Sequence, residues 1–354
     1  MKYEKQIIDD IFKCYAVHSL HIGGCPHLVF AAEGDGGCHV FSGKDFRTKQ
    51  TLWEGGGGTM SIVPVPEKEG YFFASRGFYS MVEATTAHVV LVRYGDGGFK
   101  AEKIMEIPYL HRFDILNANG KRYFLGASLC SAKESKEDWS SPGKLFVSAI
   151  PEDLDGEMDI EVEVLKEGLT KNHGYGRGVW NEKEAGFIGC EEGLLAVTPP
   201  QSEDDSWKIE QILDQPISDV AVIDIDGDGE IEFAVIEPFH GDKFAIYKKI
   251  DGVYQEVYAY PTYMDFYHAV FAATLNGIPA IIGGARRGAQ QLFAVWYDKG
   301  HKRYENIVLD EKAGPSNVNI INTQQGDIVM SANREIGQAA IYKFAQSIDT
   351  QLQN

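Results

Sequence analysis

Three histidines, His111, His173 and His268, open three separate apolar runs of this chain. Each stands at or within one residue of the same point in its run, so a repeating architecture would carry all three to one place. Imidazoles converging with a carboxylate, here Asp219 at the head of a fourth run, suit a borderline divalent ion such as Zn2+, Mn2+ or Fe2+. The plainer reading is that a histidine on a strand is a hydrogen-bonded core residue. A one-residue slip would also turn His173 to the opposite face of its strand. Arginines form a second set. Arg76, Arg286, Arg287 and Arg334 follow second apolar runs, His240 lies in the corresponding segment of another unit, and Arg177 sits in Asn172-His-Gly-Tyr-Gly-Arg177-Gly-Val-Trp180. Planar guanidinium forks grip carboxylates and phosphates at two points, which suits a small anionic or sugar-like ligand. Pairing with nearby acids, such as Glu335 beside Arg334, is the alternative. His111, His173, His268 and Arg286 are thus the catalytic candidates; Arg76, Arg177, Arg287, Arg334 and His240 are the substrate-binding ones.

A third set is acidic. Asp224, Asp226, Asp228, Glu230 and Glu232 alternate with Ile and Gly between two apolar runs. Calcium takes several hard oxygens in a flexible shell, and the glycines allow a short loop to curl around one ion. A solvated Asp-Gly turn without metal is the competing reading. The glycines around Arg177 likewise suit either close approach of a ligand or a tight strand entry.

The elements that must position these groups follow from an internal repeat. Asp219, His268 and Asn317 open three evenly spaced units. Each continues through a polar turn, a second apolar run (Phe233-Ala-Val-Ile, Ala280-Ile-Ile, Ile328-Val-Met) and a third (Phe244-Ala-Ile-Tyr, Leu292-Phe-Ala-Val, Ala339-Ala-Ile-Tyr). The runs have strand length, β-branched and aromatic content, and turn residues at both ends. Four such strands per unit of about 40–50 residues is the pattern of a propeller blade. Looser copies start near Tyr15, Thr59, His111 and His173, which makes seven units. The third carries a polar insertion, Ser131 to Gly143. The last unit lacks a fourth strand, and Tyr3-Glu-Lys-Gln-Ile-Ile-Asp-Asp matches the fourth strand Tyr304-Glu-Asn-Ile-Val-Leu-Asp-Glu of the unit before it. The prediction is an all-β, seven-bladed β-propeller over residues 1–354, closed by residues 3–10 in the last blade. In a blade, the start of the first strand and the loop after the second share one face. The histidines and arginines should therefore meet at one mouth, with the acidic loop on the face opposite.

The acidic loop resembles the FG-GAP/VCBS repeats of integrin-like propellers, which implies a structural calcium ion. With the Tyr267-His268-Ala-Val entry it also resembles the propeller part of aldos-2-ulose dehydratases. That resemblance implies metal-dependent lyase chemistry on a sugar.

Bulk properties remove other classes. The net charge is −19, which repels nucleic-acid phosphates and anionic lipid. No apolar run reaches the length of a membrane span, and the charged first ten residues lack the apolar core of a signal peptide. Five cysteines without paired spacing point to reduced thiols and a cytoplasmic setting. No phosphate-binding loop is present, since Gly55-Gly-Gly-Gly58 has no following Lys-Ser/Thr. Two functions remain: a cytoplasmic metal-dependent enzyme acting on a small sugar or sugar acid, of lyase, dehydratase or epimerase type, or a non-catalytic ligand-binding or scaffold propeller. The number of subunits is not encoded in any of these features.

Overall fold

Short apolar runs bounded by turns cannot build helices, and the computed structural model, which describes residues 2–345, is made of strands joined by turns and loops with two single-turn 3-10 segments. The strands form seven antiparallel sheets of four. Their first strands are Cys14–Ile22, Ile62–Pro64, Leu110–Ala118, Gly174–Trp180, Asp219–Ile223, Tyr267–Leu275 and Asn317–Thr323, and these define blades 1 to 7. Each first strand contacts those of its neighbours around the ring, so the first strands line the axis.

The predicted starts hold to within a residue except in blade 2, whose ladder begins at Ile62 rather than Thr59. There a side chain replaces the ladder: Ser75 Oγ accepts from the Met60 and Ser61 amides at 2.9 and 3.1 Å.

Closure is as the repeat requires. Tyr3–Asp10 pairs antiparallel with Gln338–Phe344, from Tyr3 opposite Phe344 to Asp10 opposite Gln338. Tyr3 Oη also donates to the Leu309 carbonyl at 2.7 Å, tying the closing strand to blade 6. Apolar side chains on both faces of each sheet fill seven clusters, one between each adjacent pair of blades. Tilted phenylalanine pairs such as Phe187 and Phe233, both fully buried with centroids 5.2 Å apart, join blades 4 and 5 in this way. All five cysteines are unpaired, and only Cys25 is exposed. No helix among the described residues is long and apolar enough to cross a membrane.

Candidate functional site: an axial histidine cluster

His111 and His268 reach the axis by the same device. In blade 3 the ladder pairs Leu110 with Ser128 and Arg112 with Ala127, leaving His111 as an extra residue; in blade 6 it pairs Tyr267 with Ala285 and Ala269 with Gly284, leaving His268. Each is a β-bulge, which bends the strand and re-aims one side chain. Two residues earlier stand Tyr109 and Phe266, both at left-handed φ (59° and 60°). Blade 1 repeats the device at Tyr15, the extra residue between Cys14 and Ala16, with Lys13 at φ 55°. His173 lies just before its strand, its amide bonded to the Gly189 carbonyl, again two residues after a left-handed residue, Lys171.

The rings meet. His111 lies 4.3 Å from His173 between centroids, and His173 lies 5.2 Å from His268. The fourth histidine, His240, comes from the loop after the second strand of blade 5, and its Nε2 stands 3.2 Å from His173 Nε2. His173, His240 and His268 each offer a ring nitrogen within 4.8 Å of the others. His111 is not in that closest trio. Its Nε2 faces Tyr15 Oη at 3.3 Å, and Tyr15 Oη lies 3.1 Å from His268 Nε2.

Hydrogen bonds assign the tautomers. His173 Nδ1–H donates to the Ser218 carbonyl at 2.9 Å and His268 Nδ1–H to the Ser316 carbonyl at 2.6 Å. Both Nε2 lone pairs therefore point inward. That is the arrangement of a metal-binding histidine, whose second nitrogen is anchored to a carbonyl. Burial holds all four imidazoles neutral: it pushes His173 down to about 3, helped by the Arg112 charge, and holds His111, His240 and His268 well below their ordinary value. Three neutral nitrogens with two anchored tautomers fit Zn2+, Mn2+ or Fe2+.

Asp219 does not join them. Its carboxylate accepts from the Tyr175 and Val220 amides at 3.0 Å each and faces Arg112 Nη2 at 3.4 Å. Arg112, which no sequence motif singles out, is buried and also donates to the Met60 carbonyl and Asn317 Oδ1, both at 2.9 Å. Its guanidinium spans the axis beneath the histidines. Beyond it, an axial cavity of about 590 Å³ holds His18, Asp114 and Arg177. Arg177 pairs with Asp114 and Glu184 (3.7 and 2.9 Å), so this predicted substrate ligand belongs to the far side of Arg112. The glycines beside it serve strand packing. A Cβ on Gly174 or Gly176 would stand 2.6 or 2.8 Å from the Ser218 or Val220 carbonyl oxygen.

The other arginines divide. Arg286 lies over the Phe266 ring (4.6 Å) and pairs with Glu335 at 2.7 Å; Arg287 lies over the same ring (4.9 Å) and is exposed. Arg334 pairs with Glu33 and Glu335. Arg76 donates to the Gly55 and Gly56 carbonyls and covers Trp53, away from the histidines. Phe266 packs at a tilt against His240, 4.2 Å between centroids, so Arg286 and Arg287 are the pair at the cluster's rim.

Phe239 covers the cluster, 4.0 Å from His240 and 5.4 Å from His173, and Trp139 of the blade 3 insertion packs on it at 5.2 Å. The insertion thus roofs the mouth.

In the acidic loop, Asp224, Asp226 and Glu232 offer oxygens within 4.8 Å of one another. Glu230 is exposed and outside that group. Lys248 lies among them, paired with Asp226, with Asp228 at 2.6 Å and with Glu232 at 2.9 Å. Its ammonium sits where a cation would neutralise the loop. Asp224 accepts from the Gly227, Asp228 and Gly229 amides.

No family model matches the chain, and no curated protein matches it. Solved structures do. Streptogramin B lyase is 13% identical with a TM-score of 0.58, over 96% of this chain and 97% of that one. The WD40 propeller domain of Doa1 is 11% identical at 0.58, over 96% and 97%. A provisionally assigned 6-phosphogluconolactonase from Bacteroides uniformis is 12% identical at 0.58, over 88% and 90%. At these identities the likeness is one of fold.

Proposed function

We propose that this propeller is a metal-dependent enzyme acting on a small anionic carbohydrate at its histidine mouth. The observation that carries the reading is the convergence of the His173, His240 and His268 ring nitrogens, with the inward lone pairs of His173 and His268 set by the Ser218 and Ser316 carbonyls. A divalent ion bound there would supply Lewis acidity to a substrate carbonyl or hydroxyl. The chain's own groups do the rest. Arg287 and Arg286 on the Phe266 ring face the position of an acidic substituent. His111, neutral and packed at a tilt against His173, has an Nδ1 that makes no hydrogen bond of ordinary geometry and is the group able to take or return a proton. Phe239 and Trp139 exclude water from above. Proton abstraction beside a carboxylate followed by loss of a β-substituent, the lyase or dehydratase reaction, uses this set most fully. The propellers named above share the fold and host unrelated activities, so the reading stands on the site. The Asp224 loop, like an FG-GAP/VCBS turn, takes the role of a structural staple on the other face.

The test begins with metal. Elemental analysis of purified protein and titration of Zn2+ or Mn2+ into chelator-treated protein should show one tight site. His173→Ala and His268→Ala should each weaken it more than the ~10–100-fold that loss of an outer partner costs, with unchanged circular dichroism. Uronic and aldonic acids are then screened for the absorbance of an unsaturated product. Wild-type protein that binds no metal tightly overturns the proposal.

A further inference from the structure

Tyr15 occupies in blade 1 the position that His111 and His268 occupy in blades 3 and 6. It is the extra residue of the same bulge, two residues after a residue at left-handed φ, and it is 3% exposed. Its Oη is 3.1 Å from His268 Nε2 and 3.3 Å from His111 Nε2, while His173 Nε2 is 3.2 Å from His240 Nε2. Nitrogen ligands sit ~2.0–2.1 Å from a transition metal, which puts neighbouring ligand atoms ~2.9 Å apart in a regular octahedron and ~3.4 Å apart in a tetrahedron. The two separations between proposed ligand atoms, Tyr15 Oη to His268 Nε2 and His173 Nε2 to His240 Nε2, fall in that interval. Those two are the edges of a coordination polyhedron as much as they are hydrogen bonds, while the His111 contact is a hydrogen bond to the phenol oxygen.

We infer that Tyr15 is a direct ligand of the metal held by His173, His240 and His268, making a mixed imidazole–phenolate centre. The inference rests on the metal site proposed above. The phenol O–H bond breaks on coordination, its proton leaves to solvent, and the oxygen's lone pair forms the bond to the metal. The hydrogen-bond pattern is ready for that exchange. His268 Nε2 carries a lone pair, so in the metal-free protein the phenol donates to it, and His111 is left to donate Nε2–H to the phenol oxygen. Once the phenol proton has gone, the same His111 N–H stabilises the phenolate. Through Nε2 His111 positions the fourth ligand, which accounts for its place outside the closest trio and leaves Nδ1 for the proton transfer proposed above. One anionic oxygen among neutral nitrogens favours Cu2+ and Fe3+ over softer ions, and both give a visible phenolate-to-metal charge-transfer absorption.

The experiment adds one equivalent of Cu2+ to chelator-treated full-length protein and records visible absorption and resonance Raman spectra. The expected result is a charge-transfer band with phenolate ring modes. Tyr15→Phe should lose both while retaining copper about 10-fold more weakly. Tyr15→His should keep tight binding without the band, which guards against a Phe variant that merely packs poorly. His111→Ala should shift the band, since its N–H no longer reaches the oxygen. Copper bound tightly by wild type without a phenolate signature, or a spectrum unchanged in Tyr15→Phe, overturns the inference and leaves the histidine site standing. Absence of tight copper binding in wild type, confirmed with Zn2+, overturns both.

Discussion

Buried neutral imidazoles make the histidine cluster a liability in acid. An unfolded chain takes up a proton on each histidine below about 6.5, whereas folded His173 holds out to about 3. The stability that this group contributes is complete above pH 6.5 and is lost as pH falls through that window, by ~1.4 kcal/mol per pH unit. His111, His240 and His268 act in the same direction. Asp114 and Asp219 oppose them. Burial lifts both to about 6, so the folded protein holds protons that the unfolded chain lacks between about pH 6 and 4. Two carboxyls offset part of what four imidazoles lose. In chelator-treated protein the urea midpoint should therefore fall as pH drops from 7 to 4.5, and His173→Asn should flatten the slope by about one proton. An unchanged slope would mean that His173 is protonated in the fold. Lys248 poses a second residue-scale question, since its ammonium joins Asp226, Asp228 and Glu232. Lys248→Met should cost about 3 kcal/mol by leaving those acids unpaired, and added Ca2+ should raise its melting temperature more than that of the wild type. Added Ca2+ should leave wild type already stripped of axial metal unmoved; a rise in its melting temperature would show that the loop takes an ion alongside Lys248.

Among elements, the blade 3 insertion has the most direct bearing on the site. Ser131 to Gly143 is polar, yet it is held together by its own contacts. Asp138 accepts from the Glu134 and Ser140 amides and from Ser140 Oγ, and Lys133 lies 3.3 Å over the Trp139 ring. Trp139 in turn presses Phe239 onto His240. Removing that ring opens the roof without touching any of the proposed metal ligands. Trp139→Ala should speed transfer of bound Zn2+ to an external chelator about 10-fold while changing equilibrium affinity much less, as expected when access rather than coordination changes. Equal release rates would show that metal leaves by another route, such as past Arg112 into the axial cavity.

At the scale of the ring, stability depends on leaving no open sheet edge. Removing residues 2–10 strips Tyr3–Asp10 from blade 7 and exposes the backbone of Gln338–Phe344, together with Tyr3's bond to Leu309 and the Lys5–Asp310 ion pair. The truncated chain should self-associate in light scattering and melt lower. A monomer of unchanged stability would show that blade 7 closes well enough with three strands.

The ring was legible in the sequence because each blade repeats one local pattern of four strands, and because residues 3–10 copy the missing fourth strand. The convergence of His111, His173 and His268 followed from the same repetition, since equivalent blade positions share a distance from the axis. The rest of the polar cluster did not. A bulge at Tyr15, His111 or His268 is one unpaired residue in a ladder, and no side-chain pattern announces it. His240 enters from a loop, where no strand periodicity fixes direction. Asp219 is drawn to Arg112, and Lys248 to the acidic loop, by charges that lie far apart in the chain. Periodicity along the chain determined the number and order of blades; which polar atoms meet was decided by long-range pairing and burial, which exist only once the ring has closed.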